Sequence, residues 1–100
     1  MTEISIEKDV MTVKLKGELD HHTCRSIRED TDMKAEATRP KILRLDFSEV
    51  KFMDSSGVGL VMGRYRQMTL LGGRVEVVNI PPHLDKMFRI SGLSALGVIR

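Results

Sequence analysis

Apolar and polar residues alternate over the first sixteen positions. In EISIEKDVMTVKLKG, Ile4 and Ile6 point one way, and Met11, Val13 and Leu15 share a face. A period of two marks half-buried strands. The polar Glu7-Lys8-Asp9 between them fits a tight reversal, so the pattern predicts a β-hairpin with strands over residues 3 to 7 and 10 to 16. Gly17 is expected to break the second strand. The period then lengthens: Cys24, Ile27, Thr31 and Ala35 recur at helical spacing, predicting a helix over residues 21 to 37. Asp20 stands where a cap would accept from the backbone N–H of His22 or Thr23, and Pro40 helps to end the helix.

The segment KILRLDF predicts a strand over residues 41 to 47, followed by a short loop and a helix from Ser55 to Leu71 that Gly72-Gly73 close. RVEVVNI reads as the next strand. Pro81-Pro82 open a short helix over residues 82 to 90 with Leu84, Met87 and Phe88 as its apolar side; Gly92 stops it, and ALGVIR adds a last strand. The order is β-β-α-β-α-β-α-β. This is an α/β chain forming one domain, with a mixed, mostly parallel sheet and packed helices.

The second helix carries an anomaly at its start, MDSSGVGL. On a wheel of about 100° per residue with Val58 at zero, Met62, Tyr65, Val61 and Met68 fall within about 80° of it, a stripe expected to face the sheet. Ser56, Gly59, Leu60, Gly63 and Gln67 fall on the opposite side, and Ser55 on the flank. Interior helical glycines cost about 1 kcal/mol each relative to alanine. On an outward face, Gly59, Gly63 and an exposed Leu60 make a flat strip suited to close approach by another protein; a locally packed glycine pair is the other reading. Asp54 or Ser55 is the expected cap, which leaves Ser56 free to be presented. A helix start tolerates a phosphate, which would add about −1.5 to −2 of charge. Asp54 and Asp20 would add to that negative field.

Composition narrows the function classes. One hundred residues with 41% hydrophobic content and no Trp make one domain with an aliphatic core. The 16 basic and 14 acidic side chains are interspersed, net +2, with no basic run to bind nucleic acid or a membrane surface. No apolar stretch approaches the roughly 18 residues of a membrane span, no signal-peptide pattern opens the chain, and Cys24 is the only cysteine, so the expected location is cytoplasmic.

Catalytic readings are weak. Ser55 or Ser56 with His21, His22 and Asp20 have the residue types of a hydrolase triad, but the G-x-S-x-G elbow is missing. His21, His22 and Cys24 lack an evident fourth ligand, and adjacent histidines point apart, so no metal site is expected.

The segments GELDHHT, LRLDFSEVKFMDSSGVGLVMGRY and the late SGL carry a resemblance across residues 3 to 100. The chain resembles the anti-sigma factor antagonists of bacteria, members of the STAS domain family, and most closely the sporulation-pathway type. The resemblance implies a switch with no catalysis and no cofactor of its own. The unmodified protein would bind an anti-sigma factor that is also a serine kinase, releasing the sigma factor. The kinase, which brings its own ATP and Mg, would phosphorylate the second serine of D-S-S-G, here Ser56, and a serine phosphatase would reverse it. The implied docking surface takes in Asp20, Asp54, Ser55, Ser56, Gly57, Gly59, Leu60 and Gly63. A monomer is expected. A STAS-type scaffold, or a stress-response antagonist with a different partner, is the alternative. Family members of this type usually continue into a C-terminal helix, which is expected to be absent from a chain that stops at Arg100.

Overall fold

The computed structural model describes residues 2–100. Strands β1 (Glu3–Glu7) and β2 (Val10–Leu19) pair antiparallel around Lys8-Asp9. Helix α1 (His21–Thr38) crosses to β3 (Ile42–Met53), parallel to β2, and helix α2 (Ser55–Leu70) crosses to β4 (Arg74–Val78), parallel to β3. The sheet order is β1-β2-β3-β4. A 3-10 turn (Pro82–Leu84) leads into the short helix α3 (Asp85–Ile90).

The predicted alternation holds where it was clean. Met11, Val13 and Leu15 of β2, Leu43, Leu45 and Phe47 of β3, and Val75 and Val77 of β4 are buried. Cys24, Ile27, Thr31 and Ala35 are the buried residues of α1, as their spacing requires. Phe88 of α3 meets Phe47 edge-to-face with ring centroids 5.1 Å apart. On the other face of the sheet, Glu76 is met by Arg44 at 3.2 Å and Arg74 at 3.3 Å. Burial works against this carboxylate, but those guanidinium partners outweigh it and hold its pKa below the usual glutamate range.

Two strands run further than expected. β2 continues past residue 16 to Leu19, and β3 past residue 47 to Met53. Gly17 does not end β2. At φ +76° it takes a conformation that side chains disfavour, and the β2–β3 register shifts on both sides of it, between Lys14 and Lys16 and between Gly17 and Glu18. These are bulges, which bend a strand without ending it. The last strand, in contrast, shrinks. Residues Leu93–Leu96 form a 3-10 turn, and only one parallel bridge, Val77 to Ile99, joins this segment to β4.

The face of α2 is also turned. Its buried residues are Gly57, Leu60, Val61, Arg64 and Met68, while Val58, Met62 and Tyr65 are half-buried on the flank of the core. The burial centre thus lies about 80° from the wheel position assigned to it. A glycine and a charge that lie outside the wheel's apolar stripe are buried instead. Arg64 is buried because α1 answers it: its Nε lies 2.8 Å from Asp32 Oδ1, and its Nη2 donates to Oδ2 at 3.3 Å. Gln67 Nε2 donates to the Asp32 carbonyl at 3.3 Å. Burial pushes the Asp32 carboxyl up and the Arg64 guanidinium down, each against the attraction of its partner.

Breaking this pair leaves a carboxylate largely out of water. Arg64→Ala is expected to lower stability by about 2 kcal/mol, less than a fully buried pair would because Asp32 is partly exposed. The Asp32→Leu, Arg64→Met double variant should recover most of that loss in urea denaturation.

Candidate functional site

The site forms where β2 and β3 end together. Leu19 and Met53 are register partners, and Asp54 N–H donates to the Leu19 carbonyl at 3.2 Å. The next residue on each strand caps a helix. Asp20 Oδ1 accepts from Thr23 N–H at 2.9 Å, and Thr23 Oγ1 accepts from Asp20 N–H at 3.1 Å, a reciprocal capping box. Asp54 Oδ1 accepts from Ser56 N–H at 2.8 Å. The two helix starts therefore stand side by side. The Thr23 N–H, followed by lesser contacts, holds the Asp20 carboxyl below the usual aspartate range.

Between them lies a groove of about 430 Å³ lined by His21, Cys24, Arg25, Arg28, Ser56, Gly59 and Leu60. The α1 residues are spaced i, i+3, i+4, i+7 and the α2 residues i, i+3, i+4, so each helix offers one stripe. One turn further along both stripes, Arg64 meets Asp32. No hydrogen bond among the described residues occupies the Ser56 hydroxyl, and Ser56 is half-buried in the groove wall. Ser55 is the more exposed of the two serines. Exposure alone therefore does not select Ser56; its place in the groove distinguishes it.

The residues singled out in the sequence divide into three groups. Asp20, Asp54, Ser55 and Ser56 gather at the helix starts. Gly59 and Gly63 are open: a Cβ on either would meet nothing within 4 Å, so packing within the chain does not demand glycine there. Gly57 and Leu60 differ from expectation. Leu60 is only 4% exposed, because the helix face is turned, and it reaches the surface just as the floor of the groove. Gly57 is buried, and a Cβ there would overlap Met53 Cγ and Sδ, so its glycine serves packing.

The charge around Ser56 also differs from expectation. The negative field of Asp20 and Asp54 that the sequence predicts is present, each carboxylate accepting from a backbone N–H, but Arg25 and Arg28 line the same groove as Ser56 and set positive charge against it. Sequence reasoning misses both arginines, with His21 and Cys24, as groove residues. Their helical stripe is visible in the sequence, but not that α1 lies beside the start of α2.

Cys24 is no nucleophile. Burial, then the Asp54 and Asp20 carboxylates, push its thiol up to about 11. Neither histidine at the start of α1 bonds a serine among the described residues, and no group of three or more His, Cys, Asp or Glu gathers there to hold a metal. No helix among the described residues is long and apolar enough to cross a membrane.

Comparison with known proteins gives the family and the fold. The STAS domain family matches residues 1–99. The anti-sigma F factor antagonist of Paenibacillus polymyxa is 34% identical over 91 residues, covering 91% of this chain and 78% of the relative. The anti-sigma factor antagonist SpoIIAA in its unphosphorylated form superposes with a TM-score of 0.88 at 32% identity, covering 100% of this chain and 86% of the other. The Bacillus cell fate determinant SpoIIAA in the phosphorylated form superposes with a TM-score of 0.79 at 32% identity, covering 100% of this chain and 89% of the other.

Two expectations follow for the helix starts. Gly59→Ala should raise stability by up to about 1 kcal/mol through helix propensity. Gly57→Ala should lower it by about 1–2 kcal/mol, since Met53 must shift; thermal unfolding of both variants checks the contrast. The Asp20 cap adds a pH dependence. Its folded pKa lies below the unfolded value, so its contribution is present above about pH 4 and is lost as pH falls through the folded value. Asp20→Asn removes that titration, and its urea midpoint should fall less steeply than wild type below about pH 4.

Proposed function

The chain belongs to the STAS domain family, and we propose that it acts in it as an anti-sigma factor antagonist of the F type, switched by a phosphate on Ser56. The observation that carries this reading is the position of Ser56 within D-S-S-G. Its hydroxyl has no partner among the described residues and lies in the groove where the two helix starts meet. The likeness to antagonists over most of the chain supports an anti-sigma factor as the partner class, and in this reading that partner is also the serine kinase.

The chain contributes a surface and an acceptor, with no catalytic chemistry of its own. Gly59 and Gly63 leave the outer side of α2 bare, and Ser55 and the two caps edge it. An anti-sigma factor seated there would release its sigma factor. In the reverse direction Ser56 Oγ attacks the γ-phosphorus of the kinase's Mg-bound ATP, giving phosphoserine and ADP and releasing the hydroxyl proton. A serine phosphatase then hydrolyses the ester to serine and inorganic phosphate. Weakening the complex 100-fold takes about 2.7 kcal/mol. A new charge of about −1.5 to −2 within a docked surface is sufficient for that.

Mixing the protein with an F-type anti-sigma kinase and Mg-ATP should add one phosphate. Ser56→Ala should abolish its incorporation while still binding the kinase in calorimetry, and Ser55→Ala should retain it. Phosphate mapped to Ser55, or no incorporation in the wild type, would defeat the assignment.

A further inference from the structure

We propose that a phosphate on Ser56 is received by this chain itself, in the α1–α2 groove, by the guanidinium groups of Arg25 and Arg28. The proposal rests on Ser56 as the phosphoacceptor and adds what becomes of the phosphate once it is there. A phosphoserine carries about −1.5 to −2 of charge and three acceptor oxygens, and it needs donors. The usual donors at a helix start are the free backbone N–H groups. Here the nearest, on Ser56, already donates to Asp54 Oδ1 at 2.8 Å, and that of Gly57 donates to the Asp54 carbonyl at 3.0 Å.

With those two engaged, the charged donors beside Ser56 are the guanidinium groups across the groove. Arg25 and Arg28 lie on the same α1 stripe and line the same 430 Å³ as Ser56. Arg28 has no ion pair among the described residues. Arg25 has only a long, exposed one, Nε to Glu29 Oε2 at 3.8 Å, of a kind that contributes little. Guanidinium matches phosphate oxygens in a two-pronged geometry, and a dianion competes well with a lone exposed carboxylate. His21 also lines the groove and carries a ring N–H donor.

Asp20 and Asp54 stand at the same helix starts and keep their charge, so the two guanidinium groups have to hold the phosphate against that repulsion. Arg64 and Asp32, one turn below, neutralise each other. Gly59 matters again here. Position 59 carries no side chain, and even a Cβ there would have nothing within 4 Å, so the space beside Ser56 stays clear for the phosphate. The modified state would thus differ from the unmodified one in two ways at once: the groove is filled, and its arginine pair is neutralised.

The test installs phosphoserine at position 56 during synthesis of the full chain, so that it does not depend on any kinase. The second phosphate ionisation is followed by phosphorus NMR in the parent chain, in Arg25→Gln, in Arg28→Gln and in the double variant. Loss of both arginines is expected to raise that pKa by about 0.5–1 unit, and added salt should shrink the difference. Phosphoserine installed at position 55 is the control, and its titration should move much less. Equal titration at position 56 in the parent and the double variant overturns the proposal, and so does an equal shift at positions 55 and 56. Phosphate mapping with the kinase reports separately on whether Ser56 is the natural acceptor. Both arginines are exposed, so the variants are expected to fold, and their thermal unfolding without phosphate checks this.

Discussion

The parallel pairing of β2 with β3, carried as far as Leu19 and Met53, is the constraint on which the rest of the site depends. A strand that ended at Gly17 would leave the start of α1 unregistered against α2. Because the bulges around Gly17 absorb the mismatch and pairing resumes beyond them, the two strands end level. Each then hands over through an aspartate cap to a helix, and the caps stand next to each other. In α/β sheets, ligands characteristically meet the protein at the carboxyl ends of parallel strands. Here that end presents a hydroxyl and an arginine pair in a groove.

One turn beyond the groove, the interface of α1 with α2 is polar at one point. Arg64 and Asp32 are both taken partly out of water, and burial opposes the charged form of each. Such a pair is a poor source of stability compared with apolar packing. It does fix which residues of the two helices face each other, since a slip of either helix would leave a buried guanidinium without its carboxylate. Cys24, Arg25 and Arg28 then face Ser56, Gly59 and Leu60 in consequence. The glycines of α2 divide by the same geometry. Gly57 is needed because Met53 lies against it, whereas Gly59 and Gly63 are free of neighbours.

Much of this was legible in the sequence. Clean alternation located the inner residues of β2, β3 and β4, and helical spacing located all four buried residues of α1. The Asp20 cap was readable before its helical run, and Asp54 was one of two candidates, with Ser55, for the second cap. The failures share one cause, which is that pairing and burial are decided by neighbours. In SEVKFM, Val50 and Met53 are buried but Lys51 and Phe52 are exposed, so the period of two is lost while the strand continues. The burial of Arg64 is not legible in the sequence, because the Asp32 that answers it lies 32 positions away. Once Arg64 and Gly57 are counted as inward, the helix turns, Leu60 goes in, and Ser56 moves from open surface into a groove wall.

That turn changes how a single phosphate acts on such a frame. The first turn of α2 is tied by the Asp54 cap, the Gly57 contact with Met53 and the strand pairing beneath it. Several independent constraints on one turn make it costly to move, so added charge meets a fixed backbone. An off state reached by refolding the site would have to break those constraints. An off state reached by changing what the groove presents breaks none. In the switch proposed above, the charge and the bulk would sit where the partner docks, and a few kcal/mol would separate bound from released. The open glycines of α2 cost helix propensity, but they keep that side of the helix clear of side chains. A rigid scaffold with one chargeable position is therefore sufficient for the switch.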